Sequence, residues 1–345
     1  MKNPDVVIIG LGYIGLPTSA LIANRGYKVL GVDIDSDIIE KINNGQAHIY
    51  EPKLDEIVSK VVSKGLLKAS LKPKSSSVYL IVVPTPFLND TKPDISFVEN
   101  AIKSIIPYIS KNDLIIIEST SPVGTTEKMK SIIYEKRKEL KDKIFIAYCP
   151  ERVLPGNIFY ELENNDRVVG GINEESTEKA FDFYSKIVKG NIYKTNSKTA
   201  EMCKLIENSS RDVQIAFANE LSMVCDKAGI DVWELINLAN KHPRVNILNP
   251  GSGVGGHCIA VDPYFIISDF SKQSKLISQA RKVNNFKPDW CIEKIKKNIR
   301  EFIDNKSKIP RVSILGLTFK ANIDDIRESP SLYIARKLNK LKKYK

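Results

Sequence analysis

The sequence predicts an α/β protein: an N-terminal doubly wound, mostly parallel sheet followed by a helical middle. Two observations carry the sheet. Short apolar runs alternate with helical patterns over the first 196 residues, and the first run ends in Gly10-Leu-Gly12-Tyr13-Ile14-Gly15. A third observation carries the helical middle. Ser197 to Ala228 contains neither Gly nor Pro and reads as one long helix.

The elements follow in order. Asp5 to Gly10 is a continuous apolar run ending in glycine, the pattern of a buried strand. A helix is expected from about Ile14 to Asn24, then a strand over Lys28 to Asp33 that ends in an acid. Strand, GxGxxG turn, helix, strand and acid together form a Rossmann-type dinucleotide-binding unit. Its glycines allow a pyrophosphate to approach the helix N-terminus, and Asp33 is placed to accept from a ribose hydroxyl. An acid there, with no arginine directly after it, favours NAD over NADP. Further strands are expected at Val78–Val83, Leu114–Glu118, Ile144–Tyr148, Arg167–Gly171 and Asn191–Lys194. Helices are expected at Phe97–Ile109, after Ser119–Thr126 to about Lys138, and near Glu174–Ile187. A ligand in such a sheet sits beyond the carboxyl ends of its strands, where Thr85, Thr126 and Glu151 fall. The hydroxyls of Thr85 and Thr126 suit a cofactor. They equally suit helix capping.

Within the long helix Lys204, Asn208 and Arg211 share one face at i, i+4 and i+7. They read either as an anion-binding stripe or as a solvated face. A second helix spans Asp231–Asn240, and Lys241-His242-Pro-Arg244 leads into Asn249-Pro-Gly-Ser-Gly-Val-Gly255-Gly-His257-Cys258. Four glycines in six residues let this backbone approach a ligand closely, so Cys258 is either a thiol held against substrate or a packed, inert one. Asp262 follows, and its place before Pro263 also suits a plain turn. A basic helix is expected over Asp289–Asn305, a boundary at Lys306–Pro310, a fresh strand from Arg311, a polar turn at Asp324–Pro330 and a helix from near Ser331. One strand and one helix cannot bury a core of their own, so this last unit reads as incomplete. The domains are thus 1–196, 197–305 and 306–345.

Composition narrows the function. No apolar run approaches a membrane span, and Met1–Asp5 runs straight into a strand, so no signal peptide is expected. Five cysteines at irregular spacing argue against a disulfide framework and for a reducing cytoplasm; with only three histidines, no metal site is expected. Net charge is +11, of which Arg336, Lys337, Lys340, Lys342, Lys343 and Lys345 supply six. Without a nucleic-acid recognition motif, this reads as local positive potential for small anions.

The stretches Tyr148–Gly156, Asn165–Gly171, Glu201–Leu221, His242–Asn246, Pro250–Pro263 and Gly316–Pro330 together resemble the UDP-glucose/GDP-mannose dehydrogenases over essentially the whole chain. The residues around Cys258 resemble the N-acetylhexosamine branch. The resemblance implies four-electron oxidation of the C6 alcohol of a UDP-N-acetylhexosamine for surface polysaccharide, with two NAD consumed and Cys258 as nucleophile. An aldehyde has no leaving group, so a nucleophile must add before a second hydride can depart. It further implies Lys204 at the oxyanion, Asn208 orienting substrate oxygen or water, Glu151 as general base and Asp262 as a helper. Substrate contacts carry over to Arg152, Val153, Lys204, Asn208, Arg211, His242, Arg244, Gly255, Phe319 and Lys320. Cofactor contacts carry over to Gly10, Gly12, Tyr13, Ile14, Gly15, Asp33, Thr85, Thr126 and Arg327. A homodimer through the long helix is expected. His257 invites a Cys–His dyad, although adjacent loop residues rarely point the same way. The family's last domain, at the uridine end, normally continues further. A truncated, NAD-binding homologue with little turnover, an enzyme for UDP-GlcNAc or UDP-glucose, and a two-electron hydroxyacid-type dehydrogenase therefore stand as alternatives. Cys258 argues against the last, whose chemistry needs no nucleophile.

Overall fold

The computed structural model describes every residue except 2, 89–91, 154–155, 321–324 and 342–345. Leu154-Pro155, Asp324 and the terminal Lys342, Lys343 and Lys345 of the motifs above therefore lie outside the described residues. The chain divides into two compact units, Met1–Lys204 and Leu205–Lys345.

The first unit is built on eight strands: β1 (Val6–Ile9), β2 (Val29–Val32), β3 (Leu67–Ser70), β4 (Val78–Ile81), β5 (Leu114–Ile117), β6 (Phe145–Tyr148), β7 (Arg167–Gly171) and β8 (Ile192–Asn196). They form one sheet in the order β3-β2-β1-β4-β5-β6-β7-β8. Every neighbouring pair is parallel except β6 with β7. The helices are α1 (Gly15–Asn24), α2 (Ser36–Asn43), α3 (Leu54–Ser63), α4 (Ser96–Ile105), α5 (Thr125–Lys136), α6 (Ile158–Asn164) and α7 (Glu174–Tyr184), with the first turns of α8 (Ser197–Ala228). Alternate side chains of β1 show why a continuous apolar run belongs at the centre. Val6 and Ile8 join one buried layer with Leu16 and Val58, while Val7 and Ile9 join the other with Ile102 and Ile133. The doubly wound sheet is as expected from sequence. Elements α2, α3, β3 and α6 were not anticipated.

The second unit holds the rest of α8, then α9 (Val232–Ala239), α10 (Asp262–Asp269), α11 (Lys275–Lys306) and α12 (Pro330–Asn339). Helices α8 and α11 pair through Asp212 with Arg281 (2.7 Å), Asn219 with Asn284 (2.9 Å) and Asp226 with Lys294 (2.6 Å), so they run in the same direction. The helix expected from Asp289 starts fourteen residues earlier, at Lys275, and carries Pro288 inside it. The ring removes one main-chain donor, but it is buried and fills space that Gly253 leaves: a Cβ there would come within 2.9 Å of Pro288 Cγ. The strand expected from Arg311 is a correction. Residues 309–317 carry no strand, because among the described residues no second strand pairs with them and a lone extended segment has no ladder to join.

Candidate active site

The order of strands reverses at β1 and β4, which places the Gly10–Gly15 turn and the residues after β4 at the crevice where such sheets hold ligands. Gly10 has φ +96, and a Cβ there would lie 2.2 Å from the Val82 carbonyl oxygen. Gly15 is as tightly required, against the Gly10 carbonyl at 1.9 Å, whereas Gly12 faces open space. The Asp33 carboxylate accepts from Leu11 N at 2.8 Å and from Asp35 N at 3.1 Å, so it braces the turn from the end of β2. Tyr13 is exposed; Ile14 and Thr85 are half-buried. This glycine cradle, with an acid behind it, fits a dinucleotide.

Thr126 is engaged by a carboxylate from α8. It is fully buried, and both its N–H (2.7 Å) and its hydroxyl (2.6 Å) donate to Glu201. The same carboxylate accepts from Gly124 N at 2.6 Å. Glu201 thus caps α5 from the start of α8, satisfying N–H groups the helix leaves open. Burial raises the Glu201 carboxyl, with the Thr126 and Gly124 donors acting against the rise.

Glu151 stands just beyond β6. Lys204 donates through Nζ to its main-chain carbonyl at 2.6 Å, and Arg152 N donates to its Oε1 at 2.6 Å. Behind it lies a buried charged cluster that the sequence reading missed. Arg167 Nη2 lies 3.6 Å from Glu151 Oε2, and Arg167 Nη1 lies 3.8 Å from Glu118 Oε1. Tyr184 donates its hydroxyl to Glu118, and the guanidinium sits 4.8 Å from the Tyr184 ring centroid. Burial pushes the Glu118 carboxyl up to about 7 despite Arg167, and pushes the Cys149 thiol up to about 11. Burial also opposes the Arg167 charge, but Glu151, Cys149 and Glu118 around it keep it protonated. An acid ending a strand, as Glu118 does, was the available signal. A cavity of about 280 Å³ in this unit, beside Arg25, Glu51 and Tyr160, is lined by none of the catalytic, cofactor or substrate residues expected from the sequence.

In the second unit Cys258 lies in the turn ahead of α10, where its carbonyl accepts from Val261 N (3.0 Å) and Asp262 N (2.8 Å). Asp262 opens α10 and is buried; its Oδ2 accepts from Asn208 Nδ2 at 2.6 Å. Asp262 is therefore more than a turn former. The glycine stretch packs closely against the segment near Arg327. Gly256 N donates to Arg327 O at 3.0 Å. A Cβ on Gly255 would meet Glu328 O and Phe319 Cβ at 2.6 Å each. Phe319 and Gly255 are thus brought together, while Lys320, Arg211, His242 and Arg244 are exposed. His257 Nδ1 lies 3.7 Å from Asp325 Oδ2, and Arg327 forks onto the same carboxylate at 2.6–3.0 Å. The Arg327 hydrogen bonds hold the Asp325 carboxyl below its ordinary range. Arg152 donates to Asp166 O at 3.2 Å, and Val153 is half-buried.

Three family models match in sequence order: the NAD binding domain of the UDP-glucose/GDP-mannose dehydrogenase family over residues 4–188, its central domain over 198–286 and its UDP binding domain over 313–344. The chain belongs to the UDP-glucose/GDP-mannose dehydrogenase family. It is an NAD-dependent nucleotide-sugar dehydrogenase. A UDP-N-acetyl-D-mannosamine dehydrogenase of Yersinia pestis is 52% identical over 97% of this chain and 83% of its own length. An NDP-N-acetyl-D-galactosaminuronic acid dehydrogenase of Ralstonia solanacearum is 48% identical over 96% of this chain and 79% of its own. The solved UDP-N-acetyl-mannosamine dehydrogenase of Staphylococcus aureus superimposes with a TM-score of 0.89 at 43% identity, covering all of this chain and 81% of that one. The match to the NAD binding domain spans the Gly10–Gly15 turn and Asp33.

Proposed function

We propose that this dehydrogenase oxidises the C6 alcohol of UDP-N-acetyl-D-mannosamine to the uronate, supplying an acidic sugar nucleotide for polysaccharide synthesis. The observation that carries the reading is about half identity, along nearly the whole chain, to relatives named for that substrate. NAD, which the Gly10–Gly15 turn and Asp33 would hold, would supply the hydride acceptor for both oxidations at C6, the first of which also releases the alcohol proton. The work of the chain's own residues lies around these transfers. After the first, the Cys258 thiolate adds to the aldehyde carbon, and the new alkoxide takes a proton to give a thiohemiacetal. Loss of the second hydride and of that hydroxyl proton leaves a thioester on Cys258. Water then attacks its carbonyl, Glu151 takes the water proton, and the carboxylate leaves as the thiol is restored. Lys204 stabilises the oxyanion, and Asn208 with Asp262 orients the reacting oxygen.

Arg152, Val153, Arg211, His242, Arg244, Gly255, Phe319 and Lys320 are proposed to hold the UDP-sugar, arginine being suited to diphosphate through paired donors. Tyr13, Ile14, Thr85, Thr126 and Arg327 are proposed on the cofactor side. The proposed domain limits are 1–196, 197–305 and 306–345. A homodimer through α8 is supported by Phe217 and Val224, apolar side chains seven residues apart that α8 leaves exposed. All five cysteines are free thiols, which supports a cytoplasmic setting. No helix among the described residues is long and apolar enough to cross a membrane.

The deciding measurement is NADH formed per UDP-N-acetyl-D-mannosamine, in the wild type and in Cys258→Ser. Two NADH per sugar in the wild type, and loss of the acid product in the variant, support the proposal. One NADH, insensitive to the substitution, overturns it, as does faster oxidation of the galacto sugar.

A further inference from the structure

Buried polar side chains are costly unless they are needed, and the second unit buries four of them in one hydrogen-bonded chain. Asp212 and Asn219 are fully buried, Asn284 is 1% exposed and Arg281 4%. Gly251 N donates to Asn219 Oδ1 at 2.8 Å, and Asn219 Nδ2 donates to Asn284 Oδ1 at 2.9 Å. Asn284 Nδ2 donates to Asp212 Oδ1 at 2.7 Å, and Arg281 Nη1 donates to the same oxygen at 2.7 Å. From Arg281 the chain leaves the interior to the exposed Asn285, whose Oδ1 accepts from Arg281 and whose Nδ2 donates to the Tyr264 hydroxyl at 2.8 Å. Tyr264 lies in the first turn of α10, whose first residue, Asp262, is held by Asn208. Asn208 and Asp212 are one turn apart on α8.

The two ends of this chain bracket the segment that carries Cys258. Gly251 lies at its start, Tyr264 lies in α10 six residues after Cys258, and Cys258 lies between them. A glycine-rich segment has little conformational preference of its own, so its geometry must come from outside. A buried ion pair such as Asp212 with Arg281 gains little stability over apolar packing; its known uses are register and specificity. An apolar seam between α8 and α11 would hold the helices together as well, yet it would offer no acceptor for Gly251 N and no donor for the Tyr264 hydroxyl.

We propose that the Asn219–Asn284–Asp212–Arg281–Asn285 chain is a positioning device that holds both ends of the Cys258 loop and so sets where the thiol stands. It rests on the reading of Cys258 as nucleophile and adds positioning residues that act through the loop.

The test uses Asn219→Leu, which cuts the entry anchor, and Tyr264→Phe, which cuts the exit anchor at a half-buried position. Iodoacetamide labelling of each cysteine is followed by peptide mass mapping in the intact protein, beside steady-state kinetics with UDP-N-acetyl-D-mannosamine. The expected result is a rise of about fivefold or more in labelling of Cys258 alone, with Cys149, Cys203, Cys225 and Cys291 unchanged. With it, kcat falls by about tenfold or more while KM stays within about twofold. Equal labelling of Cys258 in wild type and both variants overturns the proposal. So does a parallel rise at all five cysteines, which marks general loosening. Should Asn219→Leu fail to fold, Tyr264→Phe decides alone. If the wild type makes no NADH from this sugar, the functional proposal fails, and the labelling still decides the positioning question.

Discussion

Asn208 donates through Nδ2 to Asp262 Oδ2 at 2.6 Å, with both side chains buried. This bond fixes the head of α10 to α8 four residues after Cys258. Removing the carboxylate leaves a buried amide without that acceptor. Asp262→Ala is expected to cost about 1–3 kcal/mol in urea unfolding. Asp262→Asn, which keeps a carbonyl oxygen in place, is expected to cost less than about 1 kcal/mol. Equal losses in the two variants would mean the bond contributes nothing specific.

Arg167 lies beside two carboxylates, Glu118 at 3.8 Å and Glu151 at 3.6 Å. Arg167→Met strands both in a dry interior. Its expected cost is about 3–5 kcal/mol, read from the denaturation midpoint. Adding Glu118→Gln should restore part of that above about pH 7, where Glu118 would otherwise be a stranded charge.

Glu118 gives the protein a pH dependence of known sign. Its carboxyl is raised to about 7 by burial, against about 4.3 in an unfolded chain. Between those values the folded state holds the extra proton. The stabilisation from this group is therefore fully present at about pH 4 and is lost as pH rises through about 7. Glu118→Gln should flatten that part of the curve of unfolding midpoint against pH. An unchanged slope would assign it to other groups, such as Asp113, which burial raises to about 6.

Gly255 has no room for a side chain, since a Cβ would sit 2.6 Å from the Glu328 main-chain oxygen. Gly255→Ala must push the segment carrying Phe319 away from the loop, at an expected cost of about 1–3 kcal/mol. UDP binding measured by calorimetry should weaken while NAD binding stays as it was. Equal affinity for UDP in the two proteins would remove Gly255 and Phe319 from the proposed sugar-nucleotide site.

Much of this was open to reading in the chain itself. Buried parallel strands announce themselves, because both faces of β1 must be apolar, and the Gly10–Gly15 turn needs glycine where a Cβ would strike Val82. Helix α8 was readable to the residue, since nothing between Ser197 and Ala228 interrupts it. The glycines and Cys258 marked their own stretch. What the chain could not declare were the pairings. Asp212, Asn219 and Asp226 repeat every seven residues along α8, a faint signal, but a polar heptad position reads equally well as solvated surface. Arg167 looked like the start of an ordinary strand until folding set Glu118 and Glu151 beside it. The extended run from Arg311 met the opposite fate, for strand character in the sequence does not supply the neighbour a ladder requires. Local pattern decides which segments are helix, strand or glycine turn, because backbone sterics and periodic burial act within a few residues. Which buried charge meets which depends on contacts 16 to 69 residues apart in the chain, and only the packed structure settles them.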